Sequence, residues 1–588
     1  MQEHHSGGIE VKRIAIITAL LSISALLLTL SMLPHAYNAQ PSPYLHLEIT
    51  PIAYWIGFCA TISGILAIIV SKDEKKVSYS FGLLLVMLLA VYVYDIPKLF
   101  YENSIYTDTY IFVGEMLFAL RYGHLGYGHS VETPGLAAFS SQFSMITSVN
   151  YMAIAEAILF IIPLASILAV YLLAKMFANK RVALLACLFF MAMNWWGFVF
   201  NRQSFALMLS LYVSYFTFTS LLRKDGSVPW YVVAMLSFFA LVVLHPVSSL
   251  LLIITILATA VFTCLLSSIR RPLLRGKNPF ARNLSIKAIS MAVVFLIMWL
   301  SWNMYTGTTL NYAVSTIDEA IGWFFGGLNP LQRAGALVSG YTSPYLPIVR
   351  LRYVEMLFEA IVGIALTIAA LIRTNSYRRT IVLSSWFFGS MSIAVFAFYG
   401  DWLQLLQRPF LHAIAGFSIL MAWTILSGKN LGRSKRFSKE ALRVGEGLVV
   451  SMMLIFLLVT PLTMYSQAPF MYSPNVYFAE SSRIAQIANG TIATFGFGSE
   501  FGYNQLVNNA SNANAVPYDP LNQSQYKTIV TDYRGYMLDA FFVSVPSTTY
   551  SMNTLETGFA ENPGFAKVYD ADTWDRAYVN QTIAYTRP

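Results

Sequence analysis

The sequence predicts an all-α polytopic membrane protein of about thirteen transmembrane helices, N-terminus in and C-terminus out, followed by a small extracytoplasmic α/β domain. Of 588 residues, 56% are hydrophobic and only 11% charged, with a mean hydropathy of +0.58, against about 25% charged residues in a soluble domain. The apolar residues come in runs of about 20, the length a helix needs to cross hydrocarbon. Lys and Arg gather on alternate loops, which is the signature of a topology fixed by positive charge on the inner side.

The first run, 14–33, is long, lacks a small-residue cleavage site and is followed by more spans, so it reads as a helix and not a leader. Further spans are predicted at 52–70, 79–97, 153–175, 181–200, 204–222, 229–245, 247–267, 287–306, 353–372, 380–399, 409–427 and 445–465. With the N-terminus inside, the inner segments collect Lys12, Arg13, Lys175, Lys180, Arg181, Arg223, Lys224, the stretch from Arg270 to Lys287, and the stretch from Lys429 to Arg443. Acidic residues favour the other side. The net charge of +9 is therefore a consequence of topology, and nucleic acid is excluded as a partner. Cys59, Cys187 and Cys264 all lie in apolar runs and form no disulfide or thiolate-metal pattern.

Three predicted outer regions are too long to be turns: 98–152, 307–352 and 466–588. The last carries N-glycosylation triplets at Asn489, Asn509, Asn522 and Asn580, which suits an outer location. It mixes a helical stretch from Val476 to Ile487 with β-prone runs at Thr491–Phe495 and Phe541–Val545.

Charges near hydrocarbon are costly and mark function by default. In the first outer region, residues 109–122 place Tyr110, Val113, Leu117 and Leu120 at helical spacing, predicting an amphipathic helix at the interface. Asp108 and Glu115 share one face of it, and Asp95 precedes it. A carboxylate at the start of such a helix serves either as a general base or as an N-cap, and the two roles are compatible. Arg202, next to Gln203 in a short outer turn, either grips a phosphate or snorkels beside the tryptophans. His245, in the next outer turn, is either a packing residue or a ligand. Asp401, Arg408 and His412 stack on one face, where they hold a lipid phosphate or pair among themselves. Glu156 and Glu359 lie inside spans and require partners. There is no GxxxxGK[ST], HExxH or CxxC motif and no inverted repeat, which disfavours nucleotide chemistry, zinc hydrolysis and secondary transport.

The order Asp108-Thr109-Tyr110, Gly123-His124-Leu125, Thr133-Pro134-Gly135-Leu136, together with Arg202-Gln203-Ser204-Phe205-Ala206 and Leu244-His245-Pro246, resembles the GT-C integral-membrane glycosyltransferases of archaeal type. That superfamily includes protein mannosyltransferases and the catalytic subunits of oligosaccharyltransferases. The resemblance covers the chain from about residue 79 to its end, leaving 1–78 as an extra N-terminal two-helix segment before a transmembrane domain at 79–465 and the outer domain at 466–588. It implies transfer of a sugar from a polyprenyl-phosphate carrier to an envelope protein or glycan acceptor. Asp108 would be the base, assisted by Glu115 or Asp95, and Arg202, Gln203, His245, Arg408 and His412 would line the lipid phosphate. Members that bind a divalent metal often carry His four residues after the first acidic residue; Phe112 stands there, which weakens a metal site. The WWDYG acceptor motif of oligosaccharyltransferases is missing as well. The other readings are a non-catalytic scaffold or receptor with a glycosylated outer domain and, third, a transporter.

Overall fold

The computed structural model describes residues 3–33, 45–71, 79–101, 108–126, 130–194, 196, 198–223, 227–270, 279–307, 310, 314, 318, 321–322, 346–373, 377–399, 403–431, 439–465, 491–494, 514–517, 528–532, 566–571 and 582–586. The helices are α1 (Glu3–Ser31), α2 (Leu45–Ile49), α3 (Ile52–Val70), α4 (Tyr79–Ala90), α5 (Asp108–Tyr122), α6 (Gly135–Thr147), α7 (Tyr151–Phe177) and α8 (Lys180–Met193). They continue with α9 (Arg202–Leu222), α10 (Val228–Leu244), α11 (Pro246–Arg270), α12 (Pro279–Thr306), α13 (Leu346–Arg373), α14 (Tyr377–Tyr399), α15 (Leu403–Leu431) and α16 (Lys439–Tyr465). Among the described residues, nine helices are long and apolar enough to cross a membrane, with shorter apolar helices at Val228–Leu244 and Arg379–Val395. The protein is a multi-pass membrane protein.

Three helix starts carry side-chain caps. Asn150, Asn179 and Asn201 each accept a backbone N–H of the first turn, from Met152, Val182 and Ser204, at 2.8, 2.9 and 2.8 Å, which supplies a partner to donors the helix cannot satisfy itself. The helix predicted over 181–200 ends at Met193, because Asn194 leaves helical geometry and its side chain turns to Tyr94 Oη at 3.2 Å. Trp196 and Phe198–Asn201 are not helical.

The N-terminal pair is built into the bundle. Helices α1 and α3 pack along each other, and α3 packs on α4 and α8. Gly57 and Gly64 permit that approach: a Cβ would collide with Tyr92 Oη at the first and Thr18 Oγ1 at the second. Beyond α4 the chain makes a π turn (Val91–Asp95) and a 3-10 turn (Ile96–Phe100). Pro97 brings no N–H to this region, and two of its carbonyls are satisfied from outside: Tyr54 Oη donates to Tyr92 O, and Tyr465 Oη to Tyr94 O, both at 2.8 Å. Tyr92 Oη donates to Ser22 O at 2.7 Å, which ties α1 to the same turn. In α2, His46 lies between Phe100 and Tyr465, ring centroids 5.2 and 5.3 Å away. Burial pushes its imidazole down to about 3, so the ring is neutral at physiological pH.

In the tail, β1 (Thr491–Thr494), β2 (Asn514–Pro517), β3 (Thr528–Asp532), β4 (Ala566–Ala571) and β5 (Thr582–Thr586) form one sheet in the order β2-β1-β3-β5-β4. Strands β1–β2 and β1–β3 pair in parallel, β3–β5 and β4–β5 antiparallel. Of the run predicted at Thr491–Phe495, Thr491–Thr494 is a strand, whereas Phe495, the helical stretch at 476–487, the run at 541–545 and the glycosylation candidates Asn489, Asn509, Asn522 and Asn580 lie outside the described residues.

Candidate functional site

One end of the bundle gathers the segments that the sequence singles out. Asn201 caps α9, and Ser204 Oγ accepts from Val199 N–H at 3.0 Å, which fixes Arg202 as the first helical residue. Its guanidinium lies over the Phe112 ring of α5, 4.8 Å from the centroid, so the helix beginning at Asp108 and the start of α9 meet through a cation–π contact. The helix predicted for the interface is present, but it packs inward on α6 and α7, with Thr109, Tyr110, Val113, Glu115 and Met116 buried. Gly135, at the start of α6, sits against α10: a Cβ there would lie 2.9 Å from Leu244 Cα. The Pro134-Gly135 and Leu244-His245-Pro246 segments are therefore neighbours in space.

His245 joins two helices by itself. Its N–H donates to Leu241 O at 2.8 Å, ending α10, while its Nδ1 accepts from Ser248 N–H at 3.2 Å, opening α11. Pro246 suits this first position because its φ is already helical and it has no N–H to lose. Ser248 Oγ lies 2.9 Å from His245 Nδ1 and 3.0 Å from His412 Nε2 of α15. Trp386 Nε1 donates to His412 O at 2.9 Å, and Trp299 Nε1 to Pro246 O at 2.8 Å, so α12, α14 and α15 are pinned to the same point. Burial, and then the positive charges of Arg408, His412 and Arg202, hold the His245 imidazole well below its ordinary range. Ser248 thus brings the two imidazoles together, with Arg408 one turn before His412 on α15. His412, Trp386, Ser210, Ser214, Thr255 and Ser390, together with Leu207, Leu211, Leu251 and Leu252, line a small void of mixed polarity with room for about one water molecule.

Other predicted residues stand differently. Asp108 is the first residue of α5, and its side chain lies outside the described residues, as does Asp401. Glu115 is buried on α5. Asp95 is buried in the π turn and paired with Lys98 at 3.4 Å; Lys98 also donates to Leu159 O at 2.7 Å, which anchors the turn to α7. Gln203 is half-buried at the second position of α9. Glu156 is exposed, and Glu359 is buried with Oε1 lacking a hydrogen-bond partner among the described residues. Glu355, one turn earlier, is buried likewise, and sequence reasoning passed over it. Ser248 was also missed, although a capping-type hydroxyl three residues after His245, ahead of an apolar run, is a readable helix-start signal. Phe112 offers no metal ligand, and its ring already carries the Arg202 guanidinium.

No protein-family model and no curated protein matches the sequence. Solved structures do. The archaeal oligosaccharyltransferase AglB from Archaeoglobus fulgidus, in complex with an inhibitory peptide and a dolichol-phosphate, is similar over 87% of this chain and 75% of that chain, with a TM-score of 0.51 at 13% identity. The chain shares its fold with this oligosaccharyltransferase. ArnT from Cupriavidus metallidurans, bound to undecaprenyl phosphate, matches over 86% of this chain and 97% of that chain, with a TM-score of 0.47 at 12% identity. In this fold, α5, the starts of α9 and α11, and α15 bring Arg202, His245 and His412 to one end of the bundle.

Proposed function

We propose that the chain is a glycosyltransferase that moves a sugar from a polyprenyl-phosphate carrier to an envelope protein or glycan acceptor. The observation that carries this reading is the convergence of Arg202, His245, Arg408 and His412 beside α5, the helix that opens with Asp108. Cations and the starts of α9 and α11 together favour an anion, and AglB, whose fold is shared, was solved with a dolichol-phosphate. Asp108 is the base: it takes the proton of the acceptor hydroxyl or amide as that group attacks the anomeric carbon. The bond from anomeric carbon to phosphate oxygen breaks, and the lipid phosphate leaves with the charge that Arg202 and Arg408 meet. Glu115 and Asp95 support the base from α5 and the π turn. No nucleotide is needed. The site lies at the outer side of the cell membrane, with the tail at 466–588 as an extracytoplasmic α/β domain, glycosylated at one or more of Asn489, Asn509, Asn522 and Asn580.

The test is transfer of radiolabelled sugar from membrane lipid-phosphate sugars to envelope acceptors by purified protein. Asp108→Asn is expected to lower transfer by about 10² to 10⁴-fold with an unchanged unfolding temperature. Equal transfer by the variant removes Asp108 from the mechanism, and absence of transfer by the wild type from both dolichyl and undecaprenyl carriers supports the scaffold reading instead.

A further inference from the structure

The contacts of Ser248 define a direction. Its backbone N–H points at His245 Nδ1, so that nitrogen holds a lone pair and the His245 proton sits on Nε2. The Ser248 hydroxyl, 2.9 Å from the same nitrogen, then donates to it as well, because an oxygen lone pair facing a nitrogen lone pair would repel. With its proton committed there, Ser248 Oγ is left as an acceptor for His412 Nε2–H at 3.0 Å. The chain runs His412 Nε2–H to Ser248 Oγ–H to His245 Nδ1, and it ends at His245 Nε2–H. That last donor has no hydrogen-bond partner among the described residues, and His245 is only half-buried.

We propose that His245 and His412 have separate roles: His245 contacts the lipid phosphate as a neutral Nε2–H donor beside Arg202 and Arg408, while His412 and Ser248 are positioning residues that orient it. This rests on the polyprenyl-phosphate reading above and deepens it. It divides a pair of histidines that the sequence presents as equivalent, since the Nε2 of His412 is spent on Ser248 and faces no ligand. A neutral donor also suits a site that releases its phosphate, since a third full cation would hold the leaving group more tightly after transfer.

The experiment measures binding of undecaprenyl phosphate to the purified full-length protein in detergent, by tryptophan fluorescence, for wild type, His245→Asn, Ser248→Ala, Ser248→Thr, His412→Gln and the Ser248→Ala/His412→Gln double variant. Asn keeps an acceptor at the helix cap and removes the Nε2–H, so His245→Asn is expected to weaken binding about tenfold at constant unfolding temperature. Ser248→Ala and His412→Gln are each expected to weaken it about threefold, and the double variant by no more than either one, because both act through one chain. Ser248→Thr, which keeps the hydroxyl, restores wild-type binding. Inorganic phosphate alone is expected to leave the signal unchanged; a response to it equal to that of the lipid overturns the lipid assignment. Wild-type binding with unaltered affinity in His245→Asn, or additive losses in the double variant, overturns the division of roles while leaving the glycosyltransferase reading in place. Absence of wild-type binding, by contrast, removes that reading and the inference with it. Selective ¹⁵N-histidine NMR on the wild type gives an independent check: His245 is expected as the Nε2–H tautomer with a resonance that moves on adding undecaprenyl phosphate, and an imidazolium or Nδ1–H form refutes the proposal.

Discussion

The molecule contains two buried polar regions of opposite design. In the seam of α1, α3 and the π turn, hydroxyls close on each other and on backbone: Ser22 Oγ meets Thr61 Oγ1, Tyr92 donates to Ser22 O, and Tyr54 donates to Tyr92 O. Every group there is neutral, and the glycines Gly57 and Gly64 let the helices touch. At the starts of α9 and α11, the groups are guanidinium and imidazole, and the hydrogen-bonded chain through Ser248 ends on a donor with no described partner. A closed neutral network holds helices together where lipid gives no hydrophobic drive for association. A convergent cationic one is costly to assemble, and under the proposed function it meets the charge of a lipid phosphate.

That contrast is open to breaking, first at the seam. Gly57→Val is expected to abolish recoverable folded protein, because its side chain would occupy the place of Tyr92 Oη; overpacking of this kind costs about 1–3 kcal/mol or more. Fluorescence-detected size exclusion reads the outcome, and a monodisperse variant of normal unfolding temperature would show that the seam yields. At the cationic end the signature reverses. Arg202→Ala is expected to leave the unfolding temperature within a few degrees of wild type and to reduce sugar transfer about ten- to a hundredfold. Arg202→Lys should recover only part of this, since an ammonium neither spreads over the Phe112 ring nor binds a phosphate with two parallel bonds.

The smallest effect concerns pH. His46, held down to about 3 by burial, stays neutral in the folded protein while the unfolded chain takes up a proton below its ordinary value near 6.5. The unfolded state then binds more protons, so the stabilising neutral form is fully present above pH 6.5 and its contribution falls as pH drops from there towards 3. His46→Phe, which retains the aromatic contact with Phe100 and Tyr465, is expected to flatten the fall in unfolding temperature over that window. An identical pH profile for the variant would assign the acid sensitivity elsewhere.

Much of the fold was legible without coordinates. The helices α1, α3, α4, α7, α9, α11, α12 and α16 stand where the apolar runs placed them, because a membrane span is a local property of about 20 consecutive residues. So does α5, from the spacing of its apolar residues. The end of α8 was not legible, since the turn at Asn194 depends on Tyr94, one hundred residues away in sequence. The inward packing of α5 was hidden for a related reason: amphipathic spacing gives a face but not the surface that covers it.

By itself, then, the sequence determined that the chain crosses a membrane many times, and it singled out Asp108, Arg202, His245, Arg408 and His412 as candidates. Tertiary structure alone decided that Arg202 rests on Phe112, that Asp95 is paired with Lys98, and that Ser248 links two histidines 167 positions apart in chain numbering, at 245 and 412. Spans follow from local hydrophobicity, which any window of sequence displays. Side-chain partnerships follow from which helix ends meet, and that is set by packing among segments whose separation along the chain carries no such information.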